Sequence, residues 1–140
     1  MKFQKTRKVK TPQYGSPGSA GLDFYVPEGI NFMLEPGGQA KIPSGIKVEL
    51  DKDWHLIAYN KSGRAIEGLD VGATVVDSDY RGEIHLHVFN RGWHPFFIEE
   101  DTKLVQFLLM YVPQTELIEV EDIANDTDRG EGGFGSTGIK

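Results

Sequence analysis

Residues 71–90 read VGATVVDSDYRGEIHLHVFN. Val71, Thr74, Val75 and Val76 form a β-branched run, and Asp77-Ser78-Asp79-Tyr80-Arg81-Gly82 is a polar turn. Ile84, Leu86 and Val88 then alternate with Glu83, His85, His87 and Phe89. Period-two patterning around a Gly-containing polar segment predicts a β-hairpin. The turn gathers two acids, a tyrosine and an arginine, and loops held by rigid strands are where binding and catalysis concentrate. Taken alone, a solvated turn is the simpler reading, and the flanking sequence has to decide.

Outward from this stretch the chain continues as short strands. Residues 54–59 alternate Trp54, Leu56 and Ala58 against His55, Ile57 and Tyr59, and 103–112 form a long apolar strand stopped by Pro113. Further strands are predicted at 3–9, 22–26, 30–34, 40–42, 45–50 and 96–98, with a weaker candidate at 117–120. Gly, Pro, Asp and Ser punctuate them, with turns at 51–53, 91–95 and 99–101 and a loop at 11–20. Residues 60–65 permit one short helix, limited by Gly63 and Gly68. No helical periodicity is sustained, no repeat occurs and no domain boundary is visible. Many short strands with such turns mean a single all-β domain, a sandwich or barrel. The one shift in composition is the end: 121–128 is acidic and 129–140 is Gly-rich. This divides the chain into a β-barrel domain, 1–120, and a C-terminal arm, 121–140, expected to be mobile.

The 140 residues suffice for one sizeable core, with 39% hydrophobic and 26% charged residues. A net charge of -6 argues against sequence-independent nucleic-acid binding, which needs a basic surface. It leaves room for a small polyanion neutralised by a few local cations. The absence of cysteine removes disulfides and thiol chemistry and fits a reducing, intracellular compartment. The basic start MKFQKTRKVK lacks an apolar run behind it, and no stretch approaches the length of a membrane span.

Several clusters carry chemistry. In RGEGGFGSTG, 129–138, glycines expose N–H groups for phosphates, Arg129 suits bidentate contacts, Ser136 and Thr137 offer hydroxyls, and Phe134 could stack on a base. No Gly-Lys-Ser/Thr is present, so this is no Walker loop. Lys61-Ser62-Gly63-Arg64 suits an anion. Gln106 shares a face with Leu104, Leu108 and Met110 by alternation, and a core-facing amide must be satisfied, so it ties down a loop or meets a ligand. Asp23 within a strand poses the same choice. His85 and His87 have metal-compatible spacing but no third ligand, which favours solvent-facing histidines.

In order, these segments resemble the all-β homotrimeric dUTPase family. Ser19-Ala20-Gly21-Leu22-Asp23, Lys61-Ser62-Gly63, residues 72–83 (GATVVDSDYRGE), Lys103-Leu104-Val105-Gln106 and residues 129–138 are similar to its five motifs in sequence and spacing. Pro36-Gly37 with Ile42-Pro43-Ser44-Gly45 fits its linking segment.

The resemblance implies a distorted jelly-roll or β-clip barrel with a mobile arm, acting as a dUTP nucleotidohydrolase that yields dUMP and pyrophosphate. It would thereby limit uracil incorporation into DNA and supply dUMP. Asp77 would align the attacking water, and Tyr80 would exclude a ribose 2′-hydroxyl. The hairpin backbone around Gly72, Ala73 and Thr74 would read uracil. Lys61, Ser62, Gly63 and Gln106 would bind phosphates. Arg129, Phe134, Gly135, Ser136 and Thr137 would close over the nucleotide. Asp23 would hold Mg²⁺ through water. The family assembles as a homotrimer with sites at subunit interfaces, and the expected location is cytoplasmic, with no nucleic-acid or membrane partner.

Three positions depart from the family pattern: Lys61 replaces Arg, Arg64 replaces an apolar Leu, and Thr74 replaces Gly. Lys gives a point charge where Arg gives a fork. Thr at 74 serves a backbone contact only with negative φ. Two other readings stand beside this one. A nucleotide-responsive protein-binding module would use the same hairpin and tail. A dCTP deaminase relative would need a glutamate base in the linking segment, which Glu35-Pro36-Gly37-Gly38-Gln39 matches poorly.

Overall fold

The computed structural model describes residues 1–133. Among them twelve strands and one short helix run in chain order: β1 (Lys2–Lys5), β2 (Gln13–Tyr14), β3 (Leu22–Tyr25), β4 (Phe32–Leu34), β5 (Gln39–Pro43), β6 (Ile46–Glu49), β7 (Trp54–Asn60), α1 (Ser62–Ile66), β8 (Leu69–Val71), β9 (Val75–Val76), β10 (His85–Asn90), β11 (Phe96–Ile98) and β12 (Lys103–Tyr111). The all-β reading holds, and the short helix falls where Asn60 to Ala65 permitted one.

The largest sheet has the order β2-β3-β12-β7-β9, antiparallel throughout. β12 lies between β3 and β7, which explains why the longest apolar run sits there. β3 is buried along its whole length. The Phe24 and Phe107 rings meet at 4.6 Å, tilted by 53°. Burying each ring contributes about 1.5–3 kcal/mol.

A second sheet, β5-β10-β8, presents Leu86, Val88 and Asn90 inward and His85, His87 and Phe89 outward, as alternation predicts. One core cluster joins Leu22, Leu56 and Leu104 of the first sheet with Ile42, Leu86 and Val88 of the second. The buried Asn90 amide is satisfied: Nδ2 donates to the carbonyls of Leu34 and His94, and Oδ1 accepts from Gly92 N–H. Shorter ladders β1-β6 and β4-β11 complete the strand set. The turns at 51–53 and 99–101 each end on an aspartate with positive φ, Asp53 at 66° and Asp101 at 64°, a conformation aspartate tolerates.

Four expectations need correction. The strand predicted at 3–9 is confined to Lys2–Lys5, and the predicted loop at 11–20 holds the short strand Gln13–Tyr14, paired with β3. Residues 117–120 form no strand, and Leu117 is 91% exposed. Their β propensity finds no partner among the described residues, and propensity without a paired edge does not make a strand. The predicted hairpin is also splayed. Val71 stands opposite Val88, the register that a turn at 77–82 dictates. Yet Val75 and Val76 leave that ladder and pair with Ile57 and Leu56 of β7. On the other arm Ile84 N–H bonds Ile46 C=O, and Ser44 N–H bonds Ile84 C=O. The two arms are thus drawn to different sheets, and a slot opens between them.

Candidate active site

The slot starts where the β8–β10 ladder ends. Gly72 N–H donates to His87 C=O at 2.8 Å, and Ala73 N–H donates to His87 Nδ1 at 3.0 Å. Thr74 C=O accepts from Ala58 N–H at 2.7 Å, which commits the chain to β7. Thr74 has negative φ: among the described non-glycine residues only Asp53 and Asp101 do not. Among the described residues the Gly72 and Ala73 carbonyls and the Thr74 N–H have no hydrogen-bond partner.

The far arm is held by its own side chains. Tyr80 hydroxyl donates to Glu83 C=O at 2.9 Å, and a Cβ on Gly82 would stand 2.2 Å from that hydroxyl, so only glycine lets the ring lie there. Arg81 donates to Ser78 C=O and Tyr80 C=O, tying the turn. Glu83 accepts from Thr6, Arg7 and Gly45 N–H. Burial works to raise its carboxyl, but the bonds from Arg7, Gly45 and Thr6 outweigh burial and hold it below the ordinary glutamate value.

Asp77 follows β9 directly. Extending the β7–β9 register by one residue sets it opposite His55, and Nδ1 of His55 lies 3.7 Å from Asp77 Oδ1. The imidazole is largely buried while the Asp77 carboxylate is 66% exposed. That buried Nδ1 has no hydrogen-bond partner among the described residues. Asp77, His55, Asp79, Lys52 and Gln114 line an open cleft of about 420 Å³.

The cationic residues gather elsewhere. Lys61, Ser62, Gly63, Lys103 and Gln106 line a separate cleft of about 480 Å³. Gln106 is on the outward face of β12, not the core face. A bulge between Lys103 and Val105 lets Leu104 and Val105 both turn inward, which resets the alternation. Its Nε2 donates to Asn60 C=O at 2.8 Å, tying down the residue before Lys61. Asp23 is buried between two ammoniums: Oδ1 pairs with Lys61 and Oδ2 with Lys103 at 3.1 Å. The bond to Asp23 and its charge raise Lys103 above the ordinary lysine value.

Both Asp23 oxygens are therefore engaged, and among the described residues no group of three or more His, Cys, Asp or Glu could hold a metal ion. The arrangement does not fit a resident inner-sphere Mg²⁺. Arg129 bonds Gly132 C=O at 2.7 Å within its own turn. Phe134, Gly135, Ser136 and Thr137 lie outside the described residues.

The structure thus unites Lys61, Ser62, Gly63 and Gln106 in one cleft with Asp23 paired to Lys61, sets Gly72, Ala73 and Thr74 on the near arm of the slot and Tyr80 in the turn that joins it to the far arm, and places Asp77 in a separate cleft. Sequence reasoning passed over His55 and Lys103 and took His87 for a solvent-facing residue. The alternation did contain one signal, because it set His87 on the strand facing the slot segment.

The sequence profile of the dUTPase family matches residues 7–138. The deoxyuridine 5'-triphosphate nucleotidohydrolase of Desulfitobacterium hafniense is 37% identical, over 97% of this chain and 92% of the relative. The enzyme of the same name from Beijerinckia indica is 40% identical, over 91% and 82%, and that of Monkeypox virus 33%, over 98% and 89%. Among solved structures, the dUTPase of Staphylococcus bacteriophage 80alpha with dUPNHPP superposes with a TM-score of 0.90 at 20% identity, covering 99% of this chain and 98% of that one. A mutant dUTPase of phage phi11 of S. aureus, described for its coordination of a structural Mg(II) ion, gives 0.79 at 18% identity, over 87% and 97%. At these identities the structural likeness establishes the fold.

Proposed function

The chain belongs to the dUTPase family and acts as a dUTP diphosphatase, and from that premise we propose how its residues divide the reaction. Uracil enters the slot and is read by its open backbone groups, of which the Gly72 and Ala73 carbonyls and the Thr74 N–H are unpaired among the described residues. Fixed donors and acceptors reject cytosine, whose pattern is reversed, because buried groups would be left unpaired. Tyr80, held over Gly82, packs against the deoxyribose and excludes a 2′-hydroxyl. Asp77 aligns a water on the α-phosphorus and accepts its proton. Lys61, Ser62, Gly63 and Gln106 hold the phosphates, and positioning with charge neutralisation is what phosphoryl transfer requires. The arm closes over the nucleotide with Arg129, Phe134, Gly135, Ser136 and Thr137.

Asp23 is the cleft carboxylate that would reach the water shell of a Mg²⁺ carried by the triphosphate, and such an ion would supply charge neutralisation. The observation that carries this reading is the splayed slot ending directly on Asp77, with Thr74 at negative φ. β7 separates Asp77, beside His55, from Lys61 by about 20 Å at ~3.3 Å per residue. No single triphosphate joins both on one chain, which supports a homotrimer with shared interfacial sites. The exposed apolar residues Leu117, Ile118 and Val120 agree with coverage by another subunit. The lack of cysteine fits a reducing, cytoplasmic compartment, and hydrolysis of dUTP there would keep uracil out of DNA and supply dUMP.

The test is a substrate panel of dUTP, UTP, dCTP and dTTP with and without Mg²⁺, read by pyrophosphate release. Strong preference for dUTP is expected. Equal turnover of UTP would remove the role given to Tyr80, and ammonia release from dCTP would revive the deaminase reading.

A further inference from the structure

His87 is engaged at both ring nitrogens. Ala73 N–H can only donate, so Nδ1 at 3.0 Å must be the acceptor and unprotonated. The ring proton therefore sits on Nε2, which donates to Gln39 Oε1 at 3.0 Å. Gln39 reaches this ring diagonally from β5, since its register partner is Phe89. Phe89 packs on the imidazole, with ring centroids 4.8 Å apart. Gly72 lies directly over the ring: a Cβ there would stand 2.1 Å from Nδ1. His87 C=O also accepts from Gly72 N–H, so one residue fixes two successive amides of the slot.

The peptide between Gly72 and Ala73 is planar and trans. Pinning its N–H against the imidazole aims the Gly72 carbonyl the opposite way, where no described residue meets it. We infer that His87 is a positioning residue for base recognition: through Ala73 N–H it sets the orientation of the Gly72–Ala73 peptide, and so the direction of an acceptor in the slot. The glycine follows from the histidine, because the close approach leaves no space for a side chain. Gln39 completes the device by holding the proton on Nε2, which keeps Nδ1 an acceptor.

This inference rests on the slot being the base site, and the test separates the two. For the wild-type protein, imidazole nitrogen shifts should report the Nε2–H tautomer and the Ala73 amide should resist exchange; an Nδ1–H tautomer would overturn the proposal. His87→Leu removes the acceptor. It should raise the Kd of a non-hydrolysable dUTP analogue about three- to tenfold, the cost of one lost hydrogen bond. It should reduce the dUTP-over-dCTP preference by a like factor and leave kcat at saturation within about twofold. His87→Asn places an amide oxygen near the Nδ1 position and should restore affinity and preference. Unchanged Kd and preference in the leucine variant would overturn the role. So would an asparagine variant that melts like wild type yet recovers neither. A wild-type enzyme with no preference for dUTP over dCTP would instead remove the base-slot reading itself.

Discussion

Gln106 occupies the space that a side chain on Gly21 would need. A Cβ at Gly21 would stand 2.1 Å from Gln106 Oε1 and 2.7 Å from Cδ. The two residues sit on the paired strands β3 and β12 or directly beside them, and from there Gln106 reaches Asn60 C=O. Gly21 is thus needed for close approach rather than for backbone freedom, and its absent side chain fixes the start of the Lys61 loop.

Gly21→Ala should therefore push Gln106 off Asn60. Losing that bond and straining a packed strand should cost about 1–3 kcal/mol. It should also weaken phosphate binding by loosening Lys61 and Ser62. Thermal melting and KM for dUTP check both effects. Gly18→Ala is the control, because a Cβ there meets nothing within 4 Å.

Asp23 stands between two ammoniums, so neutralising it leaves like charges side by side. Asp23→Asn should destabilise the free protein by about 2–4 kcal/mol, less than for a wholly buried pair because both lysines reach solvent. A polyphosphate would supply the missing counter-charge. The melting shift on adding a non-hydrolysable dUTP analogue should then be larger for the variant than for wild type. An equal or smaller shift would show that the lysines do not turn toward phosphate.

The strands were legible because burial alternates with the pleat. In β10 the inward Leu86 and Val88 and the outward His85 and His87 follow directly from the pattern. Asp23, Lys61 and Gln106 stood out as polar groups in or beside apolar strands. The partner of β9 was not legible: Val75 and Val76 satisfy either neighbour, and only long-range backbone bonds such as Ala58 N–H to Thr74 C=O decide. The face of Gln106 was misread because a bulge one turn of the pleat earlier reverses alternation, and no residue type announces it. Residues 117–120 carry strand propensity, but pairing depends on an edge the described chain does not offer.

Glu83 fastens the slot to the N-terminal segment through Arg7 and Thr6 and to the β5–β6 turn through Gly45 N–H. Its folded-state pKa is depressed, so it contributes stability above the unfolded glutamate pKa, and that contribution is lost as pH falls through the folded value. Glu83→Gln should lower stability at pH 7 by about 1–3 kcal/mol. The gap between variant and wild type should shrink from about pH 5 downward, because wild-type Glu83 also becomes protonated. Urea midpoints at pH 7, 5, 4 and 3 measure this, and a gap constant over the range would contradict it.

Asp77 and Lys61 lie at opposite ends of β7, about 20 Å apart by strand rise. Asp77→Asn removes the carboxylate proposed to align the water while keeping its shape, and should lower kcat on the order of a hundredfold or more. Lys61→Ala should lose triphosphate binding. Each variant alone is then inactive for a different reason. If a site takes Asp77 from one subunit and Lys61 from the next, unfolding and refolding an equal mixture should regenerate intact sites. An intact site needs a Lys61-variant chain giving Asp77 beside an Asp77-variant chain giving Lys61, so random mixing restores about one quarter of them. Pyrophosphate release from the mixture should rise toward that fraction of wild type. A site built within one chain predicts no recovery, because each chain lacks one of the two groups.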